Sequence, residues 1–286
     1  MTIKEILLAK QTSLSFEIFP PKQQTGYESV RAAARELAAL RPDFMSITYG
    51  AAGSAQTNSA QIAADIESFG TPALAHLTCI GKDRAQLDAS IANLKEKNIR
   101  SILALRGDKP ADGTGTIPGF DHASDLVTLL KRQGFCVGGA CYPEGHPESA
   151  NRDTDLDNLR HKVDAGVDFL TTQMFFDNDM LYTYLYRLRS RGISVPVLAG
   201  IMPITSASQV SRMVRLSNAF VPRRLLAICD RFAEKPDALW QAGIAYATDQ
   251  IIDLVSNGVR GIHIYTMNKP AVAKAILCNV SEIFKD

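Results

Sequence analysis

The sequence predicts an α/β fold, a (β/α)8 or TIM barrel, on three observations. Eight short apolar runs recur along the 286 residues, helical patterns separate them, and nearly every run ends in polar or charged residues. Strict alternation of strand and helix gives a parallel sheet. Eight such units in one chain favour closure over an open sheet. In a barrel the loops after the strands converge on one mouth, so the polar run ends locate a site before any motif is read.

The runs, read as strands, are Leu14–Phe19, Asp43–Tyr49, Ala73–Cys79, Ser101–Asp108, Cys136–Tyr142, Val167–Gln173, Val195–Met202 and Gly261–Tyr265. Between them, Tyr27–Leu40 carries Val30, Ala33, Ala34, Leu37 and Leu40 at helical spacing. Asn58–Phe69, Asp83–Lys97, Ala123–Arg132, Thr154–Ala165 and Asn178–Arg191 also read as helices. Asp83 and Asn178 are expected N-caps, and Gly134, Gly166 and Gly192 expected C-terminal stops. The long passage from Pro203 to Arg260 predicts extra helical segments between strands seven and eight, over Ser206–Leu216, Pro222–Phe232 and Pro236–Asn257. The Gly- and Pro-rich stretch Asp108–Phe120 reads as a flap. Its Gly-Thr-Gly does not open a helix directly after a strand, as a dinucleotide fingerprint would require.

Composition narrows the function. A hydrophobic share of 46% suffices for one sizeable core, and residues 1–286 are expected to form a single barrel domain with no regulatory domain. A net charge of +1 gives no basic stripe for nucleic acid. No apolar run reaches the roughly 18 residues of a membrane span, and MTIKEILLAK lacks a secretion signal, so the expected location is cytoplasmic. Cys79, Cys136, Cys141, Cys229 and Cys278 form no CxxC pair. They read as small buried apolar residues, and no metal is expected.

Several run ends carry chemistry. Glu17 sits among Phe16, Ile18 and Phe19; it is either a strand-end salt bridge or a general acid or base shifted by desolvation. Arg106-Gly107-Asp108 suits a phosphate fork, a close backbone approach and a negative charge, or else a structural ion pair. Tyr142 and His146 suit a cofactor's sugar or phosphate, with Glu144 and Glu148 as loop or capping charges. Gln173 offers a donor and an acceptor to an amide-like ring edge. Phe175 and Phe176 either stack on a planar ligand or pack in the core. Lys162 and Asp155 read by default as a surface ion pair.

The segments SFEIFPPK, SITYGAAGS, HLTC, LALRGD, YPEGHPE, KVDAGVDF, TTQMFFD, GIMPI and HIYTMNK run collinearly from Ser15 to Lys269. Together they resemble methylenetetrahydrofolate reductase of the bacterial, single-domain type. The resemblance implies a barrel that binds FAD noncovalently. It implies reduction of 5,10-methylenetetrahydrofolate to 5-methyltetrahydrofolate by NADH or NADPH, in ping-pong fashion, within one-carbon metabolism and methionine synthesis. It also implies a homo-oligomer. Carried over residue by residue, it makes Glu17 the acid that opens the folate ring and Asp108 the carboxylate between flavin and pterin. Thr48, His76, Leu105, Arg106, Gly107, Asp108, Tyr142, His146, Asp155, Asn158 and Lys162 become FAD contacts. Glu17, Gln173, Gln209, Tyr265 and Lys269 become substrate contacts. Three positions depart from the pattern: Met213 replaces a stacking Phe, His122 a Tyr beside FAD, and Lys269 an Arg whose bidentate fork a Lys cannot reproduce.

Other classes fit less well. A zinc-dependent methyltransferase on this barrel needs a compact thiolate set. A Schiff-base aldolase needs a Lys at a strand end, and no run supplies one. A nonenzymatic flavin or folate binder has no need for Glu17 and Asp108.

Overall fold

The computed structural model describes residues 1–21, 24–49, 54–107, 117–206, 208–210 and 219–285. The expectations for Asp108, for most of the Gly/Pro stretch after it, for Met213 and for most of Ser206–Leu216 lie outside those residues. Eight parallel strands close into a barrel in chain order. They are β1 (Ser13–Ile18), β2 (Phe44–Ile47), β3 (Ala73–Thr78), β4 (Ser101–Leu105), β5 (Cys136–Cys141), β6 (Phe169–Thr172), β7 (Val197–Ile201) and β8 (Gly261–Tyr265). β8 returns to β1 with Ser15 opposite His263 and Glu17 opposite Tyr265.

The helices are α1 (Ile3–Ala9), α2 (Tyr27–Ala38), α3 (Ser54–Ser68), α4 (Arg84–Glu96), α5 (Ala123–Arg132), α6 (Arg152–Asp164), α7 (Asn178–Ser190), α8 (Arg223–Arg231), α9 (Pro236–Ser256) and α10 (Pro270–Val280). α8 and α9 are extra segments between strands seven and eight, as the sequence predicts. Asp83 caps α4 through a reciprocal pair with Gln86. Gly134, Gly166 and Gly192 follow their helices at φ 84°, 112° and 71°, in the left-handed region that glycine enters without strain. One cap is corrected: α7 is capped by Asp177, whose side chain accepts from the Asp179 N–H, and Asn178 is its first helical residue.

The apolar runs overshoot the strands because their ends turn to other tasks. Asp43, the start of one run, accepts the Leu14 N–H through its carboxylate at 2.8 Å and so brackets β1 against β2. Outward-facing Leu14, Phe16, Ile18, Met45 and Ile47 join the helices in the main core. Inward-facing Phe44, Leu74, Leu103, Phe169 and Leu198 fill the lower barrel and meet Ile3, Ile6 and Leu7 of α1. That short helix closes the floor. Lys4 and Lys131 both bind the Asp168 carboxylate, at 3.0 and 2.6 Å, and Asp168 in turn accepts the Val137 N–H. Cys79, Cys136, Cys141 and Cys229 are buried, whereas Cys278 is exposed. Among the described residues no helix is long and apolar enough to cross a membrane, and no group of three or more His, Cys, Asp and Glu side chains is arranged to hold a metal ion.

Candidate active site

Above the apolar floor the barrel interior turns polar. Glu17 enters it from β1, Ser46 from β2, His76 from β3 and His263 from β8, each at least nine-tenths buried. Such groups cost free energy in a core unless they are partnered. Here they partner one another. Glu17 Oε2 lies 3.3 Å from His263 Nε2 and 3.6 Å from His76 Nε2. The other ring nitrogen of His263 lies 2.8 Å from Ser15 Oγ, and His76 Nε2 lies 2.6 Å from Ser46 Oγ. Burial pushes the His76 imidazole down to about 4, against the pull of Glu17, so this ring is neutral at neutral pH. For Glu17, the structure gives the carboxyl imidazole partners at the strand end, one of them the neutral His76. The carboxyl faces inward onto two imidazoles, with no Lys or Arg salt-bridge partner among the described residues. His263 escaped the sequence reading.

Glu17 and His76 line a mouth cavity of about 700 Å³ together with Thr48, Arg106, Gln173 and Tyr265. The Gln173 amide oxygen accepts the Met174 N–H at 3.0 Å. The Tyr265 hydroxyl donates to the Thr172 carbonyl at 2.8 Å, an approach that depends on Gly200. A Cβ at Gly200 would stand 2.6 Å from that carbonyl and 2.8 Å from the Tyr265 oxygen. Thr171 Oγ1 is buried at this cavity without a protein partner.

A second cavity of about 410 Å³ adjoins the first and shares Leu105, Arg106, Tyr142 and His146 with it. Asp155, Asn158 and Lys162 of α6 line it. Lys162 is not a surface residue paired to Asp155. Its stem passes Gly139, where a Cβ would come within 3.1 Å of Cδ, and its ammonium donates to the Ala140 carbonyl at 2.8 Å. Burial lowers its pKa. Asp155 instead accepts from Ser149 Oγ at 3.2 Å. His146 stands edge-on to Tyr142, ring centres 4.6 Å apart, and burial lowers its pKa. Gly107 takes φ 90° against Thr78.

Arg106 closes its guanidinium fork on Glu148, at 2.8 and 2.5 Å, at the boundary of the two cavities. Glu148 is therefore an ion-pair partner and not a free loop charge. Glu144 accepts the Phe220 N–H at 2.6 Å and ties the loop after β5 to the excursion between β7 and β8. Phe175 and Phe176 are core residues, 0% and 2% exposed. Two expected substrate contacts lie apart from the cavities. The Gln209 amide folds onto its own loop, accepting from Thr205 N and Oγ1 at 2.8 and 3.1 Å. Lys269 is exposed at the start of α10 and lines neither cavity. His122 precedes α5 and lines the smaller one.

A closed parallel barrel with a buried acid and two adjoining cavities lined by strand-end residues is the architecture of barrel enzymes. The chain belongs to the methylenetetrahydrofolate reductase family, whose profile matches residues 2–281. It is 36% identical over 271 residues to a 5,10-methylenetetrahydrofolate reductase of Pectobacterium carotovorum, covering 94% of this chain and 90% of that one. The Escherichia coli K12 protein of the same name is 35% identical over 268 residues, covering 93% and 90%. Methylenetetrahydrofolate reductase (NADH) 1 of Arabidopsis thaliana is 32% identical over 98% of this chain, which spans half of that longer protein. Among solved structures, a Clostridium thermocellum protein described as binding two copies of 5-methyltetrahydrofolic acid shares the fold at TM-score 0.66, with 15% identity over 98% of this chain and 99% of that one. Dihydropteroate synthase of Xanthomonas albilineans shares it at TM-score 0.54, with 16% identity over 96% and 94%.

Proposed function

We propose that this chain reduces 5,10-methylenetetrahydrofolate to 5-methyltetrahydrofolate, with NADH or NADPH as reductant and noncovalently bound FAD as cofactor, in a ping-pong cycle. The observation that carries the reading is the inward-facing Glu17, held by His263 and His76 at the floor of the larger cavity. Family membership supports the folate substrate, and the NADH in the name of the Arabidopsis relative supports a nicotinamide reductant. A single catalytic barrel over 1–286, a homo-oligomer, a cytoplasmic location and a place in methionine synthesis belong to the same proposal.

The residues present fit FAD. Lys162 brings a buried ammonium to the smaller cavity with a neutral carbonyl as its partner, which suits a diphosphate. Asp155 and Asn158 suit sugar hydroxyls or an adenine edge. Thr48, His76, Leu105, Arg106, Gly107 and Tyr142 border the path from that cavity to the mouth. Bound there, FAD would accept a hydride from the nicotinamide and pass it to the folate.

The chain's own chemistry is proton transfer and orientation. Glu17 donates its proton to N10 of the folate as the bond from N10 to the bridging carbon breaks. The electron pair of that bond stays on N10, and the bridging carbon is left as a 5-iminium electrophile. His76 brings a hydrogen-bonding nitrogen to this layer without a charge. Gln173 and the partnerless Thr171 hydroxyl offer hydrogen bonds to the pterin edge. Asp108, assigned by resemblance, completes the proposed pair of catalytic carboxylates. The test is direct. The purified chain should be yellow and should convert methylenetetrahydrofolate to 5-methyltetrahydrofolate with NADH or NADPH. A colourless protein that neither takes up FAD nor forms that product contradicts the reading.

A further inference from the structure

We infer that the Tyr184 hydroxyl is a ligand contact in the smaller cavity, donating a hydrogen bond to a phosphate oxygen of the dinucleotide held by Lys162. The inference rests on the FAD reading and adds to it a residue that neither the sequence motifs nor the family resemblance assigns.

Tyr184 lies on the buried stripe of α7 with Leu181 and Leu188, where packing asks only for an apolar ring. It is 4% exposed, so its body is fully used in the core. Its oxygen is buried without a hydrogen-bond partner, although the residue lines the cavity that Lys162, Asp155 and Arg106 share. The Cys141 thiol and the Tyr142 N–H come near enough to influence it as hydrogen-bonding groups and the Asp155 carboxylate acts on it electrostatically, but none of the three meets full hydrogen-bond geometry with the hydroxyl. Leaving such a hydroxyl unsatisfied costs stability, whereas a Phe would leave no such cost.

The surrounding groups define the missing acceptor. Burial holds the phenol far above its ordinary range, so it keeps its proton and acts as a donor. Burial likewise pushes the neighbouring Cys141 thiol up to about 12, so no thiolate competes. Lys162 supplies positive charge to the same cavity, and its protein partner is a carbonyl. An ammonium and a phenol facing one cavity call for an anionic oxygen that accepts from both, and a phosphate group provides several.

Tyr184→Phe removes the oxygen and keeps the ring. FAD and riboflavin, which lacks phosphate, are titrated into the flavin-depleted full chain by fluorescence, and melting is followed with and without FAD. FAD should bind the variant about 10- to 150-fold more weakly, the loss of one hydrogen bond to a charged group, while riboflavin binding stays unchanged. The variant without flavin should melt at the same temperature or higher, and its gain on adding FAD should shrink. Equal FAD affinity in variant and parent overturns the inference and leaves the cofactor reading standing. A lower melting temperature without flavin, at unchanged affinity, shows a structural hydroxyl and also overturns it. A parent chain that binds no FAD overturns both.

Discussion

Glu17 Oε2 lies 3.3 Å from His263 Nε2, and Nδ1 of the same ring lies 2.8 Å from Ser15 Oγ. Both ring nitrogens are engaged, so the imidazole is fixed and in turn fixes the carboxyl. His263 is 1% exposed and lines neither cavity, which makes it a positioning residue. His263→Asn should lower folate-dependent turnover by about tenfold or more, the scale of a misplaced general acid. NAD(P)H oxidation with a quinone as substitute acceptor should stay near the parent rate. Parallel steady-state assays compare the two; an equal loss in both would point to general damage.

His76 makes stability depend on pH. Its folded pKa is lowered from the usual 6.5 to about 4 by burial. The unfolded chain therefore binds a proton before the folded one does as pH falls. The penalty is absent above about 6.5, grows as pH falls through that value and is complete near 4. A shift of this size corresponds to a few kcal/mol, on the order of 3. His76→Gln keeps a donor near Ser46 and removes the titration. Urea unfolding from pH 7 to 4.5 should show a shallower loss in the variant, and identical slopes would contradict the assignment.

The Arg106–Glu148 pair sets a competition at the boundary of the cavities. If the guanidinium also serves the cofactor's phosphates, Arg106→Ala should weaken FAD binding by about 10- to 100-fold, the scale of a charge-assisted contact. Glu148→Gln should tighten it several-fold at low salt, because a competing carboxylate is neutralised. Fluorescence titration reads both, and tighter binding by Arg106→Ala would exclude the role.

Barrel and strand order were legible because period and alternation are local. The floor helix was not recognised, although Thr2 and Glu5 form a capping box that the sequence spells out; seven residues with three buried side chains give a weak periodic signal. The acid was legible as a carboxylate inside an apolar run. Its partner was not, because His263 is 246 positions away and sits in an equally apolar strand. Register alone brings Ser15 beside His263. Of the two readings of Lys162, the surface ion pair is the one that fails, because helix spacing cannot show that Gly139 opens a path inward. Gln209 and Lys269 were assigned by resemblance; the Gln209 amide bonds within its own loop, and neither residue lines a cavity.

Gly200 tests the packing around the mouth. Gly200→Ala would force a methyl against the Thr172 carbonyl and the Tyr265 hydroxyl, at 2.6 and 2.8 Å. The expected cost is about 1–3 kcal/mol of stability, as for other overpacked sites. Calorimetry should show a lower melting temperature, and an unchanged one would contradict the close approach.

The role of Glu17 as proton donor to the folate is tested most directly by Glu17→Gln. The amide keeps the shape and a hydrogen bond to the imidazoles but has no acidic proton to transfer. NAD(P)H oxidation is measured on the FAD-loaded variant with a quinone acceptor and, separately, with methylenetetrahydrofolate. The quinone-dependent rate should stay near that of the parent. The folate-dependent rate should fall by about 10²–10⁴, the usual contribution of general acid catalysis. Retention of the folate-dependent rate, or an equal fall in both, would contradict the assignment of Glu17.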